Sequence, residues 1–246
     1  MNFCTLIPTY NNGKTLGNII ERTLTVCNDI VVVNDGSTDN TAEILGTFSE
    51  NKNITVVSYP NNKGKGYALR LGLQKARELG FDYSVTVDSD GQHFPEDIPL
   101  LQKKKKNANG SRILVVGSRN LKAEGMPEKN TFANNFSNFW FKVQTVKKLP
   151  DTQTGFRLYS LHNLPNLKIL TRRYETELEL LVFSAWRNVK LIPTQVRVYY
   201  PPKEERVSHF RPFADFTRIS ILNTFLCFAA WLYGYPSMLI RSLIRK

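Results

Sequence analysis

The sequence predicts an α/β protein whose mostly parallel central sheet is covered by helices on both faces and is followed by a membrane-associated helical tail. Three observations favour this fold class. Short β-rich apolar runs alternate with helical patterns over the first 117 residues, which is typical of βαβ units. Clusters of polar residues directly follow several of these runs. Near the C-terminus, the 22 residues 219–240 carry no charge.

The elements of the first half follow from apolar spacing. Five short runs rich in β-branched and other apolar residues predict strands at residues 3–7, 30–33, 54–58, 83–87 and 113–117. Longer segments between them predict helices at residues 15–25, 38–48, 66–79 and 95–105. Parallel strands joined by helices require right-handed crossovers, so the sheet is expected to be covered on both faces.

The alternation breaks after residue 120. The second half predicts an aromatic-rich helix, a short strand, a further helix and then one or two strands, at residues 131–146, 156–160, 175–186 and 191–199. No linker composition separates the halves. We therefore expect a nucleotide-binding layer and a substrate-binding half to share one sheet.

Composition limits the classes of partner. The chain has 246 residues, 41% of them hydrophobic, which is enough for a sizeable core. Its net charge of +12 favours anionic partners such as nucleic acid, a membrane surface or phosphorylated ligands. The odd count of three cysteines indicates reduced thiols and a reducing compartment. The N-terminus reads as a strand, so no signal peptide is expected.

The uncharged C-terminal stretch predicts a helix that ends or kinks near Tyr235, because Gly234 and Pro236 flank that position. A helix over residues 219–235 would span roughly 26 Å, which is short of the ~30 Å core of a bilayer. Three interpretations compete: a shallow helix on the membrane, a buried core helix and a true span. Flanking cations such as Arg218 and Arg241 favour the first, since they can meet anionic head groups.

Polar clusters follow the predicted strands, and the carboxyl ends of strands in open α/β sheets are where ligands bind. The clusters begin at Pro8, Asn34, Asp88 and Ser118. Because all four would meet at one edge of the sheet, their convergence is stronger evidence for a site than any one of them.

The paired aspartates Asp88 and Asp90 follow the fourth strand. Two carboxylates two residues apart can flank one hard cation, Mg²⁺ or Mn²⁺, which would also remove their mutual repulsion. Gln92 could supply a further oxygen, whereas His93 is a poorer ligand for such a cation and is expected to be structural or to face an acceptor. The plainer alternative is a solvated turn that caps the next helix.

Two further segments favour a nucleotide. Asp35, after the second strand, could accept hydrogen bonds from a base or ribose, with helix capping as its alternative role. Residues 62–66, NKGKG, open a helix with glycines and lysines, so Lys65 could face a phosphate. The segment is neither a P-loop nor a Rossmann fingerprint, because it lacks the GK-[ST] triplet and the third glycine.

The ordered motifs PTYNN, VVVNDGSTDNT, NKGKGYAL, VDSDGQH, GSRN, DTQTGFRLYS and YETELELL resemble the inverting family 2 glycosyltransferases of the GT-A fold. The branch with the greatest resemblance is the dolichyl- or polyprenyl-phosphate mannose and glucose synthases, and the likeness covers roughly residues 3–218. It implies a GT-A domain over residues 1–218 and a hydrophobic, basic membrane-associating segment over 219–246.

The resemblance also implies roles for residues. Asp88 and Asp90 would hold the metal and the nucleotide diphosphate, with Gln92 beside them; Pro8, Tyr10, Asn12, Asp35 and Lys65 would bind the nucleotide. The family often has glutamate where Asn12 stands, so a ribose contact there would be weaker or different. Arg119 would face the donor phosphates, and Thr154 and Gly155 would shape the acceptor floor. A closing basic loop would span residues 206–211, with Arg206, His209 and Arg211.

The resulting expectation is a metal-dependent enzyme that moves a sugar from a UDP- or GDP-linked donor to a lipid-linked acceptor, most simply polyprenyl phosphate, at the cytoplasmic membrane face. Glu177 is the candidate base if the acceptor is an alcohol, and helix-surface charge is its alternative role. A lipid phosphate is already ionised and needs no base.

Other functions stay open at this stage. They are transfer to a glycolipid or a cell-surface polysaccharide precursor, and a catalytically degenerate nucleotide-sugar-binding protein. A nucleotidyltransferase is disfavoured because PTYNN replaces a glycine-rich loop after the first strand. Nucleic-acid binding is disfavoured because the basic residues cluster at an apolar tail and are not interleaved with aromatics on one surface.

Overall fold

A seven-stranded sheet forms the centre of the computed structural model, which describes residues 1–120, 128–164, 171–200 and 211–244. Its strands are β1 (Phe3–Thr9), β2 (Ile30–Asp35), β3 (Ile54–Tyr59), β4 (Tyr83–Thr86), β5 (Ile113–Ser118), β6 (Arg157–Ser160) and β7 (Lys190–Gln195). Their spatial order is β3-β2-β1-β4-β6-β5-β7. β6 runs antiparallel to β4 and β5, and the other four described pairings are parallel. The predicted mostly parallel sheet is confirmed.

Helices cover both faces of this sheet. They are α1 (Gly13–Leu24), α2 (Thr41–Gly46), α3 (Lys65–Glu78), α4 (Ile98–Asn107), α5 (Glu128–Thr145), α6 (Glu175–Trp186), α7 (Pro212–Ala229) and α8 (Tyr235–Leu243). Neighbouring strand residues point to opposite faces, so Leu6 belongs to a core with α3, α6 and α7, and Ile7 to a second core with α1 and α4. Both cores are built from buried aliphatic and aromatic side chains.

β1 and β2 each run two residues further than predicted, and this positions the site. β1 and β2 continue in parallel register to Thr9 opposite Asn34, and β2 stays paired with β3 to Asp35 opposite Tyr59. The polar residues at the ends of these strands are therefore held by ladder hydrogen bonds. The last predicted strand is shorter: β7 ends at Gln195, and beyond it Val198 forms an isolated bridge with His93.

Of the two outcomes predicted near Tyr235, an end or a kink, the C-terminal helix does not end there. A π-helical segment, Ala230–Gly234, joins α7 to α8, and the helix continues from Phe213 to Leu243. Pro236 lies in the first turn of α8, where its missing N–H costs little. These 31 residues cover roughly 46 Å at 1.5 Å per residue, so the length estimated from the sequence is too short.

The C-terminal helix also meets the length and composition criteria for a membrane span, although such a criterion is weak evidence for a single helix. Only 22% of its most apolar window is buried. This argues against the buried-core interpretation, because a core helix is enclosed on most sides. Leu222, Leu226 and Ala230 nevertheless pack into the core and attach the helix to the domain.

Candidate active site

An open cleft of about 790 Å³ lies at the carboxyl ends of β1, β2 and β4. The polar clusters after these strands meet there, as the sequence predicts from strand topology. Of the sequence-predicted site residues, the cleft is lined by Pro8, Tyr10, Asn12, Asp35, Lys65, Asp88, Asp90, Gln92, Arg119, Glu177 and Arg211. Thr154 and Gly155 are buried beneath it, and Arg206 and His209 lie outside the described residues.

Asp88 and Asp90 stand just beyond β4 on the wall of the cleft. Asp90 Oδ1 accepts a hydrogen bond from the Gln92 backbone N–H at 2.9 Å, and Gly91, at φ 78°, allows the tight turn between them. Burial, together with the charge of Asp88, raises the pKa of Asp90 to about 6. The two carboxylates thus repel each other in a partly desolvated place.

Gly155 comes directly against Asp88 from the turn before β6. A Cβ at this position would lie 2.6 Å from Asp88 Oδ2, closer than any real Cβ contact. The turn is held by the Thr86 hydroxyl, which donates to the Gly155 carbonyl at 2.5 Å. Gly155 therefore positions a carboxylate of the cleft, and the predicted acceptor-floor role of Thr154 and Gly155 stays a prediction because neither residue lines the cleft.

Lys65, the first residue of α3, bridges two carboxylates across the cleft. Its ammonium lies 2.8 Å from Asp88 Oδ1 and 3.1 Å from Glu177 Oε1. Burial opposes its charge, but attraction from Asp88 and Glu177 outweighs burial and raises the pKa of Lys65. Whether Lys65 also contacts a nucleotide stays a prediction; in this structure its charge is balanced by two acids.

Glu177 is not a surface charge, which corrects the alternative considered from the sequence. Glu175, Glu177 and Glu179 on α6 are 7%, 8% and 0% exposed. They diverge as their spacing predicts: Glu177 lines the cleft, whereas Glu179 accepts hydrogen bonds from the Thr171 backbone N–H and hydroxyl. The buried Arg157 donates to the Glu177 carbonyl oxygen at 2.6 Å and fixes this part of α6.

The end of the cleft beside β2 is organised by Asp35. Its two carboxylate oxygens accept hydrogen bonds from the backbone N–H groups of Lys63 and Gly64, at 2.6 and 2.9 Å. Asp35 therefore fixes the loop ahead of α3. The sequence did not indicate this role, because Lys63 and Gly64 follow the next strand, β3, and are distant from Asp35 along the chain. Nearby, Asn12 donates to the Ser89 hydroxyl at 2.8 Å, which ties the PTYNN segment to the acidic turn.

The two cleft arginines among the predicted residues are both paired with acids. Arg119 Nε and Nη2 donate to the two oxygens of Asp151 at 2.6 and 3.0 Å, and Asp151 is fully buried. Arg211, at the start of α7, lies 3.6 Å from the buried Asp215. Arg119 lines the cleft as predicted, but its guanidinium is held by Asp151, which the spacing of the motifs did not indicate.

His93 is structural in its surroundings. It is 6% exposed and packs on the Phe156 ring at a centroid distance of 5.2 Å. Burial lowers its pKa to about 4, so the imidazole is neutral at physiological pH. Its isolated bridge to Val198 fixes the chain that follows β7 against the acidic turn.

Eight lining residues were not among the predicted site residues: Thr9, Asn62, Gly64, Ala68, Ser89, Gln153, Arg173 and Tyr174. Arg173 matters most for charge, because the structure describes no carboxylate within ion-pair distance of it among the residues it covers. The paired arginines RR before α6 were the available signal in the sequence. A partly exposed cation facing a cleft is suited to a phosphate.

The oxygen ligands that the cleft offers can be compared with those that a divalent cation needs. Among the described residues, no cluster of three or more His, Cys, Asp or Glu could enclose a metal. Mg²⁺ does not need such a cage, since it is commonly held by one or two carboxylates, with substrate phosphates and water at the other positions. Asp88, Asp90 and the amide of Gln92 line the cleft together and form this kind of incomplete oxygen set, and burial with the charge of Asp88 raises the pKa of Asp90. The residues fit the cation.

Comparison with known proteins identifies the class. Residues 4–162 match the family model described as Glycosyl transferase family 2, and the chain belongs to this family. UDP-N-acetylglucosamine–dolichyl-phosphate N-acetylglucosaminyltransferase of Methanococcus voltae is 31% identical, over 79% of this chain and 84% of that protein. Undecaprenyl-phosphate mannosyltransferase of Micrococcus luteus is 29% identical, over 67% of this chain and 68% of that protein.

A third relative is longer than this chain. Dolichyl-phosphate beta-glucosyltransferase ALG5D of Trichomonas vaginalis is 31% identical, over 76% of this chain but only 62% of its own length. Among solved structures, glucosyl-3-phosphoglycerate synthase from Mycobacterium tuberculosis, in complex with Mn²⁺, UDP and glucosyl-3-phosphoglycerate, has a TM-score of 0.64. The superposition covers 94% of this chain and 78% of the synthase chain at 19% identity, and this likeness supports the fold.

Proposed function

We propose that this glycosyltransferase moves a sugar from a UDP- or GDP-linked donor to a polyprenyl phosphate, with inversion, at the cytoplasmic face of a membrane. The observation that carries the proposal is the meeting of Asp88 and Asp90 with several basic side chains in one cleft of a family 2 chain. The names of the relatives support the acceptor class, since they include transferases for dolichyl and undecaprenyl phosphate.

Asp88, Asp90 and Gln92 would hold Mg²⁺ or Mn²⁺ beside the donor diphosphate. The cation would supply charge neutralisation for the departing nucleoside diphosphate. Arg119 and Arg173 on the cleft wall would add fixed positive charge where the negative charge grows. Asp35 would order the nucleotide end through the loop at Lys63 and Gly64.

The acceptor needs orientation more than activation. A phosphate oxygen of a polyprenyl phosphate is ionised at neutral pH, so it can attack the anomeric carbon while the bond to the nucleoside diphosphate breaks on the opposite side. Glu177 is occupied by Lys65 at 3.1 Å and is better suited to positioning that ammonium than to taking a proton. Arg211, with the segment that precedes it, would meet the acceptor phosphate at the edge of the cleft.

The domain organisation belongs to the same proposal. Residues 1–218 would form the catalytic unit, and residues 219–246 would hold it at the membrane. The long, largely exposed apolar helix and the basic residues near it support this division. A lipid acceptor would then reach the cleft without leaving the bilayer.

The test is a panel of UDP- and GDP-sugars incubated with purified full-length protein, with and without polyprenyl phosphate, and scored by released nucleoside diphosphate and by glycolipid formation. We expect release to depend on polyprenyl phosphate and to stop when EDTA removes divalent ions. Transfer that continues undiminished in EDTA would contradict the metal assignment. Donor turnover with glycolipid acceptors but not with polyprenyl phosphate would contradict the acceptor assignment.

A further inference from the structure

We propose that α5 is a second membrane-binding helix, and that it forms one continuous bilayer-facing surface with α7 and α8. We call this surface the two-helix face, because α7, the π-helical segment and α8 form one continuous helix beside α5. Its exposed members on α5 and the residue after it are Phe132, Phe136, Phe139, Val143 and Val146. Those on the C-terminal helix are Phe213, Phe216, Ile221, Phe225, Phe228, Trp231 and Leu232. The proposal concerns α5, which lies in the middle of the chain, and it does not depend on the sugar or the acceptor.

The polarity of α5 is reversed relative to a helix on a water-soluble protein. Its outward stripe is aromatic and aliphatic: Phe132, Phe139 and Val146 are 73%, 57% and 73% exposed. Its inward side is largely polar, with Asn134, Ser137, Gln144 and Thr145 all buried. A surface helix in water normally places apolar residues inward. The arrangement of α5 is favourable only if its outer stripe contacts an apolar phase.

α7 shares part of this pattern: Leu222 and Leu226 pack into the core, but polar residues are buried beside them. Asp215 and Asn223 are buried at 0% and 5% exposure, whereas Phe213 and Phe228 are 88% and 68% exposed. The polar inward residues of the two helices satisfy one another, since Gln144 Nε2 donates to Asn223 Oδ1 at 2.9 Å. These hydrogen bonds lie inside the protein, whereas the exposed stripes of both helices are mostly apolar.

The two exposed stripes adjoin each other. The rings of Phe136 on α5 and Phe216 on α7 have a centroid distance of 6.1 Å. At the other end of α5, the Tyr235 hydroxyl of α8 donates to the Val143 carbonyl oxygen. Contacts at both ends keep α5 beside the C-terminal helix, so the stripes form one surface. That surface is continuous with the helix of span-like length and composition.

Charge favours a lipid bilayer as the occupant. Residues 132–148 contain no Asp or Glu, and they include Lys142, Lys147 and Lys148 at the C-terminal end of α5. Anionic head groups complement such a fringe. A second copy of this chain would bring a second set of the same lysines, and residues 132–148 hold no Asp or Glu to pair with them.

The face begins at the edge of the cleft. Arg211 lines the cleft, and Phe213, two residues later, is among the most exposed side chains of the face. A bilayer that covers the face would therefore reach the cleft at Arg211. This step rests on the proposed function, whereas membrane contact by α5 stands without it.

The natural tryptophans allow a direct test. Trp140 lies on α5, Trp231 lies in the π-helical segment, and Trp186 is 1% exposed in the core. In Trp231→Phe, the signals that remain come from Trp140 and Trp186. Full-length protein is reconstituted into vesicles of phosphatidylcholine and phosphatidylglycerol whose acyl chains are brominated near the head group, without donor or acceptor.

We expect these vesicles to quench Trp231→Phe more strongly than Trp140→Phe/Trp231→Phe, because only the single variant keeps a reporter on α5. Equal quenching of the two variants would overturn the proposal. That result would mean that α5 faces water, a second copy or another part of the chain. Glycosyl transfer is not measured here, so a failure of this test is separate from a failure of the proposed function.

A second measurement uses side-chain removal. Phe132→Ser/Phe139→Ser is expected to lower partition into unbrominated vesicles at least several-fold, since two exposed aromatic rings lose their apolar contact. Asn135→Ser on the exposed side of α5 and Leu100→Ser, a 44% exposed leucine on α4, are the matched controls and should leave partition unchanged. Circular dichroism melts check that each variant is folded. A double variant that is folded and partitions like the controls would overturn the proposal.

Discussion

Asp90 illustrates, at the scale of a single residue, a conflict between stability and the proposed activity. Its carboxylate lies in a partly desolvated place beside Asp88, and its pKa is raised to about 6. A carboxylate whose pKa is raised by burial and by a neighbouring carboxylate is suited to a ligand that supplies positive charge. The side chain is therefore expected to be unfavourable for folding and favourable for donor binding.

Replacing Asp90 separates these two effects. Asp90→Asn should keep the hydrogen bond from the Gln92 N–H and remove the repulsion with Asp88, so its melting temperature should equal or exceed that of the wild type. Turnover should fall by at least roughly 10²-fold, since stabilisation of the leaving group is lost. Thermal melts, Mn²⁺ binding by electron paramagnetic resonance and nucleotide release are the measurements. Glu78→Gln, on the surface of α3, is the control and should alter none of them.

Glu177 allows base catalysis to be distinguished from positioning. Gln at this position can still accept a hydrogen bond from Lys65 but cannot take a proton. We expect Glu177→Gln to lower kcat with polyprenyl phosphate by less than about tenfold, whereas loss of a general base costs roughly 10²–10⁴-fold. The pH profile of kcat/KM should keep its shape. Glu179→Gln, buried outside the cleft, is the control, and a loss of a thousandfold or so at Glu177 alone would identify it as the base.

At the scale of structural elements, the Arg119–Asp151 pair joins the end of β5 to α5 and to the turn before β6. Asp151 accepts hydrogen bonds from Arg119 and from Asn134 on α5. Burial would raise the pKa of Asp151, but the hydrogen bonds and attraction from Arg119 outweigh it and lower the pKa. The charged pair thus stabilises the fold on which the cleft is built.

The pH dependence of this contribution has a definite sign. A lowered folded-state pKa gives stability that is present above the ordinary Asp pKa of about 3.9 and is lost as the pH falls through the folded value. Asp151→Asn leaves Arg119 unpaired and should destabilise by about 3 kcal/mol at neutral pH. Denaturant titrations should show this difference from wild type shrinking as the pH falls below the ordinary Asp pKa of about 3.9. A difference that stays constant, or one that also occurs in the exposed Glu50→Gln, would contradict the assignment.

The join between α7 and α8 depends on a close approach of helices. Gly234 ends the π-helical segment, and a Cβ there would lie 2.5 Å from the indole of the buried Trp186. Trp186 in turn donates from its indole nitrogen to the Gln144 carbonyl at 2.8 Å. A side chain at position 234 must therefore move α8 or disturb a hydrogen bond to α5.

Two glycine substitutions test this close approach. Gly234→Ala should destabilise by about 1–3 kcal/mol through overpacking. Gly46→Ala is the matched control, because nothing lies within 4 Å of a Cβ at the end of α2. In a helix with free space this change is expected to stabilise by about 0.5–1 kcal/mol. Denaturation curves measure both, and equal effects at the two positions would contradict the packing argument.

At the scale of the whole molecule, charge and apolar surface act together on membrane binding. The chain carries a net charge of +12, and only 22% of the most apolar window of its C-terminal helix is buried. The attraction between the basic residues and anionic lipid is screened by salt over a Debye length of about 8 Å at physiological ionic strength. Burial of the apolar helix surface in the bilayer is not electrostatic and should persist at high salt.

Co-sedimentation with vesicles separates the two contributions. Partition into anionic vesicles should fall as salt rises and should level off above zero, at the value found with neutral vesicles. Complete release by salt would mean that the apolar helix stays out of the bilayer. Partition that is independent of salt would mean that the basic residues do not contribute.

The sequence predicted most of the helices and strands. Of the cleft, it predicted mainly the residues that directly follow strands. Helix α6 begins and ends where the apolar spacing places it, and the acidic turn at Asp88 lies at the carboxyl edge of the sheet. The full length of the C-terminal helix was not predicted. Pro236 was interpreted as a break, although it occupies the first turn of α8. Arg173 was missed because the adjacent arginines before α6 indicate a cationic segment but not which side chain faces the cleft.

By itself, the sequence determined the order of strands and helices, the edge at which the polar clusters meet and the family, because hydrophobic period and motif order are local properties of the chain. Only the tertiary structure decided that Lys65 joins Asp88 to Glu177, that Asp151 holds Arg119, and that α5 turns its aromatic stripe outward. These pairings connect segments far apart along the chain, and side-chain orientation depends on which neighbour satisfies each buried polar group.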